Sequence, residues 1–162
     1  MSAGANIYDI GLDQNAANFV QLSPLSFIAR TAEVYPDLPA VVYGDVRRDW
    51  AETYDRCRAI ASALSGRGIG KGDTVSVIAA NIPEMFELHF AVPMAQAVLN
   101  TINTRLDAET VAFILNHAEA RVLIVDPEFA EMAERAIRIA HRPDMLVVDI
   151  LDPALPDAPR VG

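Results

Sequence analysis

From Thr74 to Ile150 the chain alternates short, mostly apolar runs with amphipathic stretches, and this alternation limits the fold more than any other feature. Thr74–Ala80, Val98–Asn103, Arg121–Val125 and Met145–Ile150 have strand length and lack the polar/apolar alternation of a half-exposed strand. Strands of that kind are covered on both faces, as in parallel sheets. Between them lie helical patterns. Pro83 opens one through about Ala95. Met85, Phe86, Leu88, Phe90 and Met94 surround it, which predicts burial on most sides. Asp107 caps a second, with Val111, Ile114, Leu115 and Ala118 on one stripe. Asp126-Pro127 starts a third, with Phe129, Met132, Ala133, Ala136, Ile137 and Ala140 inward. The fold class expected is α/β: a doubly wound, mostly parallel sheet with helices on both faces, joined by right-handed crossovers.

Upstream, the pattern adds an N-terminal helix and a short hairpin. Ser23-Pro24 is a helix start, Leu25, Ile28, Ala32 and Tyr35 follow at helical spacing, and Pro36 ends the run. Ala40–Tyr43 and Val46–Trp50 read as two strands. Gly44-Asp45 between them suits a two-residue turn whose first position needs positive φ. From Ala51 a helix carries Tyr54, Cys57, Ala61 and Leu64 on one stripe. The domain layout expected is an arm over 1–22, an α/β unit over 23–151, and a linker over 152–162. Pro153, Pro156 and Pro159 mark that linker.

A length of 162 residues fits one such domain, and a hydrophobic fraction of 52% excludes disorder. The lone Cys57 excludes a disulfide framework. No run reaches the ~18 apolar residues of a membrane span, so no membrane insertion is expected. Met1–Asp13 has neither the basic nor the apolar region of a secretory signal, and a cytoplasmic location follows as the expectation. A net charge of −9 opposes nucleic-acid binding, which needs clustered Lys and Arg against phosphates. The 13 basic side chains include a single lysine, Lys71, so lysine-dependent chemistry has one candidate.

The run Gly66-Arg-Gly-Ile-Gly-Lys-Gly72 superficially suggests a phosphate loop. A P-loop needs G-x-x-x-x-G-K-[S/T] entering a helix. Here the spacing is one residue short, Gly72 replaces the hydroxyl residue, and the loop leaves a helix for a strand. It reads as a helix stop and turn. Glu84 and Glu87 sit at i, i+3 on the helix after Pro83 and make no convincing catalytic pair; Glu84 lies in the first turn, where negative charge suits the dipole. Glu128, Glu131 and Glu134 read as a solvated face, with Glu131–Arg135 and Glu134–Arg138 pairs. His89, His117 and His141 lack metal-ligand spacing. His89 falls in the most apolar helix and reads as a core or interface residue; the other two lie at helix ends, where a cation suits the dipole. Cys57 reads as a small core hydrophobe. Ligands of doubly wound sheets sit at strand carboxyl ends. Those ends carry Asn81 and Asp126, both expected as helix caps, and Asn103 and Arg105. The last two are open to loop hydrogen bonding, a ligand, or a neighbouring domain.

Four segments carry a resemblance: Ala40-Val-Val-Tyr-Gly-Asp45 with Asp49-Trp-Ala-Glu-Thr-Tyr54; Gly72-Asp-Thr-Val-Ser-Val-Ile-Ala-Ala-Asn81; Val98-Leu-Asn-Thr-Ile-Asn-Thr-Arg-Leu106; and Val122-Leu-Ile-Val-Asp126. In this order they resemble the N-terminal portion of AMP-forming acyl-CoA synthetases, over about residues 20–150. The resemblance is nearest to ligases for medium-chain or short functionalised acids. It implies fatty-acid-type metabolism and a two-step reaction: a carboxylate attacks ATP to give an acyl-adenylate, and coenzyme A then takes the acyl group. ATP, Mg and CoA are thereby implied for a complete enzyme. The family's Ser/Thr/Gly-rich loop ending in Pro-Lys-Gly and its C-terminal lysine domain have no counterpart in these residues, and Lys71 has the wrong neighbours. The matched positions are scaffold. No catalytic, cofactor-binding or metal residue is therefore assigned, and the piece alone is expected to be inactive, with the missing C-terminal portion as its partner and self-association as an option. Other readings are a doubly wound binding module and a noncatalytic dimerisation module. One departure is Gln96, where the family usually has Gly: the helix end there needs positive φ or another exit.

Overall fold

The computed structural model describes residues 11, 13, 15–151 and 159–162. Four strands, β3 (Thr74–Ile78), β4 (Val98–Thr101), β5 (Ala120–Val125) and β6 (Leu146–Asp149), form one sheet in the order β4-β3-β5-β6. All three pairings are parallel, with Val75 opposite Leu99 and Val122, and Ile124 opposite Val148. Helix α3 (Pro83–Met94) joins β3 to β4, α4 (Ala108–His117) joins β4 to β5, and α5 (Ala130–Ala140) joins β5 to β6.

Side chains on successive strand residues point to opposite faces, so each central strand feeds two cores. Val75, Val77, Val122 and Ile124 pack with α2 (Trp50–Gly66) and α3 through Ala61, Leu64, Leu88 and Val92. Ile78, Leu123 and Val125 pack on the other face with α4 and α5 through Val111, Leu115, Ala133 and Ala136. That is the doubly wound arrangement expected. Ser76, fully buried on β3, takes a 3.0 Å hydrogen bond from Asn100 Nδ2 on β4.

The hairpin stands apart as its own two-stranded sheet of β1 (Pro39–Tyr43) and β2 (Val46–Asp49), turning at Gly44 with φ 53°. Helix α1 (Pro24–Val34) starts where expected, with the Ser23 hydroxyl accepting from the Leu25 N–H. Of the expected arm, residues 1–10, 12 and 14 lie outside the described residues, and the rest up to Leu22 holds a turn at 16–18. Of the expected linker, 152–158 lie outside as well. At its end, Val161 and Gly162 donate their N–H groups to the Asp149 carboxylate at 2.9 and 3.0 Å.

Several boundaries differ for local reasons. Trp50 begins α2 rather than ending a strand, because Asp49 forms a capping box with Glu52. The runs read as Thr74–Ala80 and Val98–Asn103 leave the ladder at Ile78 and Thr101. The helix after Asp126 opens with a 3₁₀ turn, Pro127–Phe129, before α5. The Gly66–Gly72 run is a turn with positive φ at Gly68 and Gly72. The Asp73 carboxylate accepts the Gly70 N–H at 2.8 Å and Arg121 Nη1 at 3.0 Å. Those two bonds hold its pKa below the usual carboxylate value.

Gln96 sits at φ 62°, the left-handed conformation anticipated after α3. A Cβ is strained there. Gln96→Gly removes the strain and loses some unfolded-state advantage. It is expected to stabilise the chain by about 0.5–1 kcal/mol, read as a higher urea midpoint at unchanged slope.

Candidate functional site

An open cleft of about 430 Å³ lies at the carboxyl ends of β3 and β4, lined by Asn81, Met85, His89, Thr101, Asn103 and Thr104, with Ala79 and Ile102 at its base. Asn81, Met85 and His89 also line an adjoining trough of about 460 Å³ along α3, completed by Ile82, Phe86 and Phe90. Strand and helix geometry bring these residues together. Ile102 N–H donates to Val77 O at 2.9 Å, so β4 runs on beside β3 just to the cleft floor.

α3 turns its remaining face to this cleft. Pro83, Glu87, Leu88, Ala91 and Val92 are buried, while Met85, Phe86, Phe90 and Met94 are half-buried and His89 is exposed. The helix is fully buried along one side and half-buried around most of the rest, and His89, at its one exposed position, is not a core residue. Its Nδ1 lies 2.8 Å from Met85 O. A carbonyl oxygen only accepts, so Nδ1 is the donor of this contact.

Asn81 does not cap α3. The cap position is Ile82, with no side-chain cap bond, and Asn81 instead borders both depressions. Asn103 joins the cleft, with its Oδ1 accepting the Arg105 N–H at 2.9 Å in a local turn. Arg105 is exposed and is not among the lining residues. Asp126 does cap, accepting the Glu128 N–H at 3.1 Å, and does more. The connections from β3 and β5 leave toward opposite edges of the sheet, which makes the gap between their ends the usual ligand crevice of such a fold. Asp126 N–H donates to Ile78 O at 2.8 Å, and Asp126 Oδ2 accepts the Ala80 N–H at 3.4 Å. The first bond carries the β5 ladder past Val125, and the second links the Asp126 side chain to the connection that leaves β3.

The other candidates lie elsewhere. Lys71 is exposed in the glycine turn. That turn does not fit an ATP phosphate: Gly68 N–H donates to Ser65 O, and Gly70 N–H is taken by Asp73. His117 stacks on Phe113, with centroids 5.6 Å apart. His141 ends α5 at φ 51°. Among the described residues no group of three His, Cys, Asp or Glu side chains could hold a metal ion. Cys57 is fully buried, and that burial, aided by the nearby Glu87 charge, pushes its thiol up to about 11. Such a thiol is a poor nucleophile. On the acidic faces, Glu134–Arg138 forms at 2.7 Å, whereas Arg135 reaches Glu109 at 3.9 Å in place of Glu131.

The Glu84 and Glu87 pair does more than line one helix. Glu87 is 0% exposed, and its Oε1 accepts both Arg48 Nη1 and Arg56 Nε at 2.6 Å. Glu84 Oε1 joins Arg48 Nη2 at 3.2 Å and Arg56 Nη2 at 3.5 Å. The available signal was a glutamate flanked by Phe86 and Leu88 in an apolar helix: carboxylates are rarely buried there unless paired.

The cleft thus offers amides, hydroxyls, one imidazole and an apolar wall. These groups can hold a ligand or a neighbouring surface by hydrogen bonding and contact.

Comparison with known proteins places this geometry. The acetate–CoA ligase CCL3 of Humulus lupulus is 47% identical over 144 residues, covering 85% of this chain and 25% of that protein. The peroxisomal acetate/butyrate–CoA ligase AAE7 of Arabidopsis thaliana is 51% identical over 123 residues, covering 76% of this chain and 22% of that protein. Among solved structures, the N-terminal domain of FACL13 from Mycobacterium tuberculosis superposes with a TM-score of 0.71 at 31% identity, covering 78% of this chain and 33% of that one. The chain therefore spans about a quarter of the length of these curated relatives. The sequence model of the AMP-binding enzymes matches residues 28–159, and the chain belongs to that family.

Proposed function

We propose that this chain is the N-terminal scaffold portion of an AMP-forming acid–CoA ligase, which joins a carboxylic acid to coenzyme A through an acyl-adenylate. The observation that supports this is the extended identity to CoA ligases, 47% over 144 residues, carried by a chain whose strand-end cleft is built from amides, hydroxyls and an imidazole. The substrate is a carboxylic acid, the relatives being named for acetate, butyrate, trans-cinnamate and benzoate. ATP, Mg and CoA act in the complete enzyme. Its remaining portion is the partner of this chain, and the exposed Phe27, Val42 and Tyr43 make self-association of the isolated chain a further part of the reading.

No described helix is long and apolar enough to cross a membrane. A cytoplasmic site is proposed, with the peroxisome, named for the Arabidopsis relative, as the alternative that a fluorescent fusion distinguishes.

A chimera tests the role. This chain replaces the matching quarter of the Humulus acetate–CoA ligase, and acetyl-CoA formation is followed. Retained ligation with the parent's acid preference is expected, because the scaffold supplies support and not the reacting groups. A folded chimera whose acid preference moves away from the parent's would show that this portion selects the acid, and a folded chimera forming no adenylate would contradict the scaffold role.

A further inference from the structure

The β1–β2 hairpin shares no ladder with the main sheet. Its base is held by two backbone bonds, Trp50 N–H to Leu38 O at 3.1 Å and Ala51 N–H to Pro36 O at 3.2 Å. Its far end is bare, with Val42, Tyr43 and Val46 exposed. Between base and tip Ala40 and Val41 are half-buried, and one basic side chain reaches α3: Arg48 on β2, which grips Glu87 and Glu84. Removing the partner of a fully buried carboxylate is ordinarily severe, since it leaves an uncompensated charge in the interior.

Here the carboxylate has a second partner. Arg56 on α2 donates to the same Glu87 oxygen at the same 2.6 Å distance. The other oxygen, Oε2, accepts no hydrogen bond among the described residues. When Arg48 leaves, Arg56 stays and can spread over both oxygens in a bidentate grip. The counter-charge is therefore duplicated across two elements, and only one of them is a peripheral ribbon.

We propose that the β1–β2 hairpin is a releasable strap: Arg48 latches it to Glu87, and Arg56 keeps that buried charge neutralised when the strap lifts. On the same helix as Glu87, Phe90 packs against the cluster of Ile28, Cys57 and Ala91 and lines the α3 trough.

Native-state hydrogen exchange on the 162-residue chain, with stability measured in parallel, tests this. In the unmodified chain the amides of residues 39–49 should exchange about tenfold or more faster than those of β3 and β5, through an opening short of global unfolding. Arg48→Ala should raise hairpin exchange about tenfold again, while β3 and β5 speed up only by the factor that the measured loss of global stability dictates. Arg48→Ala and Arg56→Ala should each fold, whereas the double variant should lose more stability than the two losses added. Adding Glu87→Gln to the double variant should remove that excess, a rescue that lost packing alone would not give. Three results would overturn the proposal: hairpin protection equal to that of β3 and β5, unfolding by Arg48→Ala alone, or an additive double variant.

Discussion

Leu123→Ala is expected to lower the unfolding free energy by about 2–5 kcal/mol, a large share of the ~5–15 kcal/mol available to a domain of this kind. Leu123 lies on β5, between β3 and β6, fully excluded from solvent. It faces α4 and α5 in the cluster of Val111, Leu115, Ala133 and Ala136. Three of the neighbours α5 contributes there, Ala133, Ala136 and Ala140, are alanines whose short side chains cannot swing into a void. The cavity therefore collapses little, which favours the upper half of the range. Chemical denaturation measures it. Leu38→Ala is the control: Leu38 is 53% exposed, and its truncation should change stability by no more than about 0.5 kcal/mol. Equal effects at the two positions would contradict the two-faced core.

The parallel sheet was legible because its signal is local. Apolar runs such as Val122–Val125 can be satisfied only by cover on both faces, and the helical stripes between them supply that cover. Gly44-Asp45 likewise announces its own turn. Strand ends were less legible, since Ala79, Ala80 and Ile102 are as apolar as the ladder residues before them. Trp50 was misplaced for a different reason: the capping box of Asp49 and Glu52 outweighs the strand preference of an aromatic residue.

The candidate site was legible in part. Asn103 stands at a strand end, as reasoned, but Asn81 resembles a cap in sequence and is not one. The Arg48–Glu87 contact spans 39 residues of chain and has no periodic signature. At i, i+3 on a helix, Glu84 and Glu87 look alike. Only the packing of the hairpin and α2 against α3 makes one half-exposed and the other buried.

The second large expected effect is the absence of a reaction. Adenylate formation needs groups that bind ATP phosphates and stabilise charge developing at the transferred centre. The Gly66–Gly72 turn commits amides of Gly68 and Gly70 to protein oxygens. The one lysine, Lys71, is exposed in that turn. ATP–pyrophosphate exchange by the purified 162-residue chain, with acetate or butyrate and magnesium, tests the scaffold assignment most directly. The expected result is no acid-dependent label in ATP above a protein-free blank. Acid-dependent exchange that is lost when the chain is heat-denatured would contradict it.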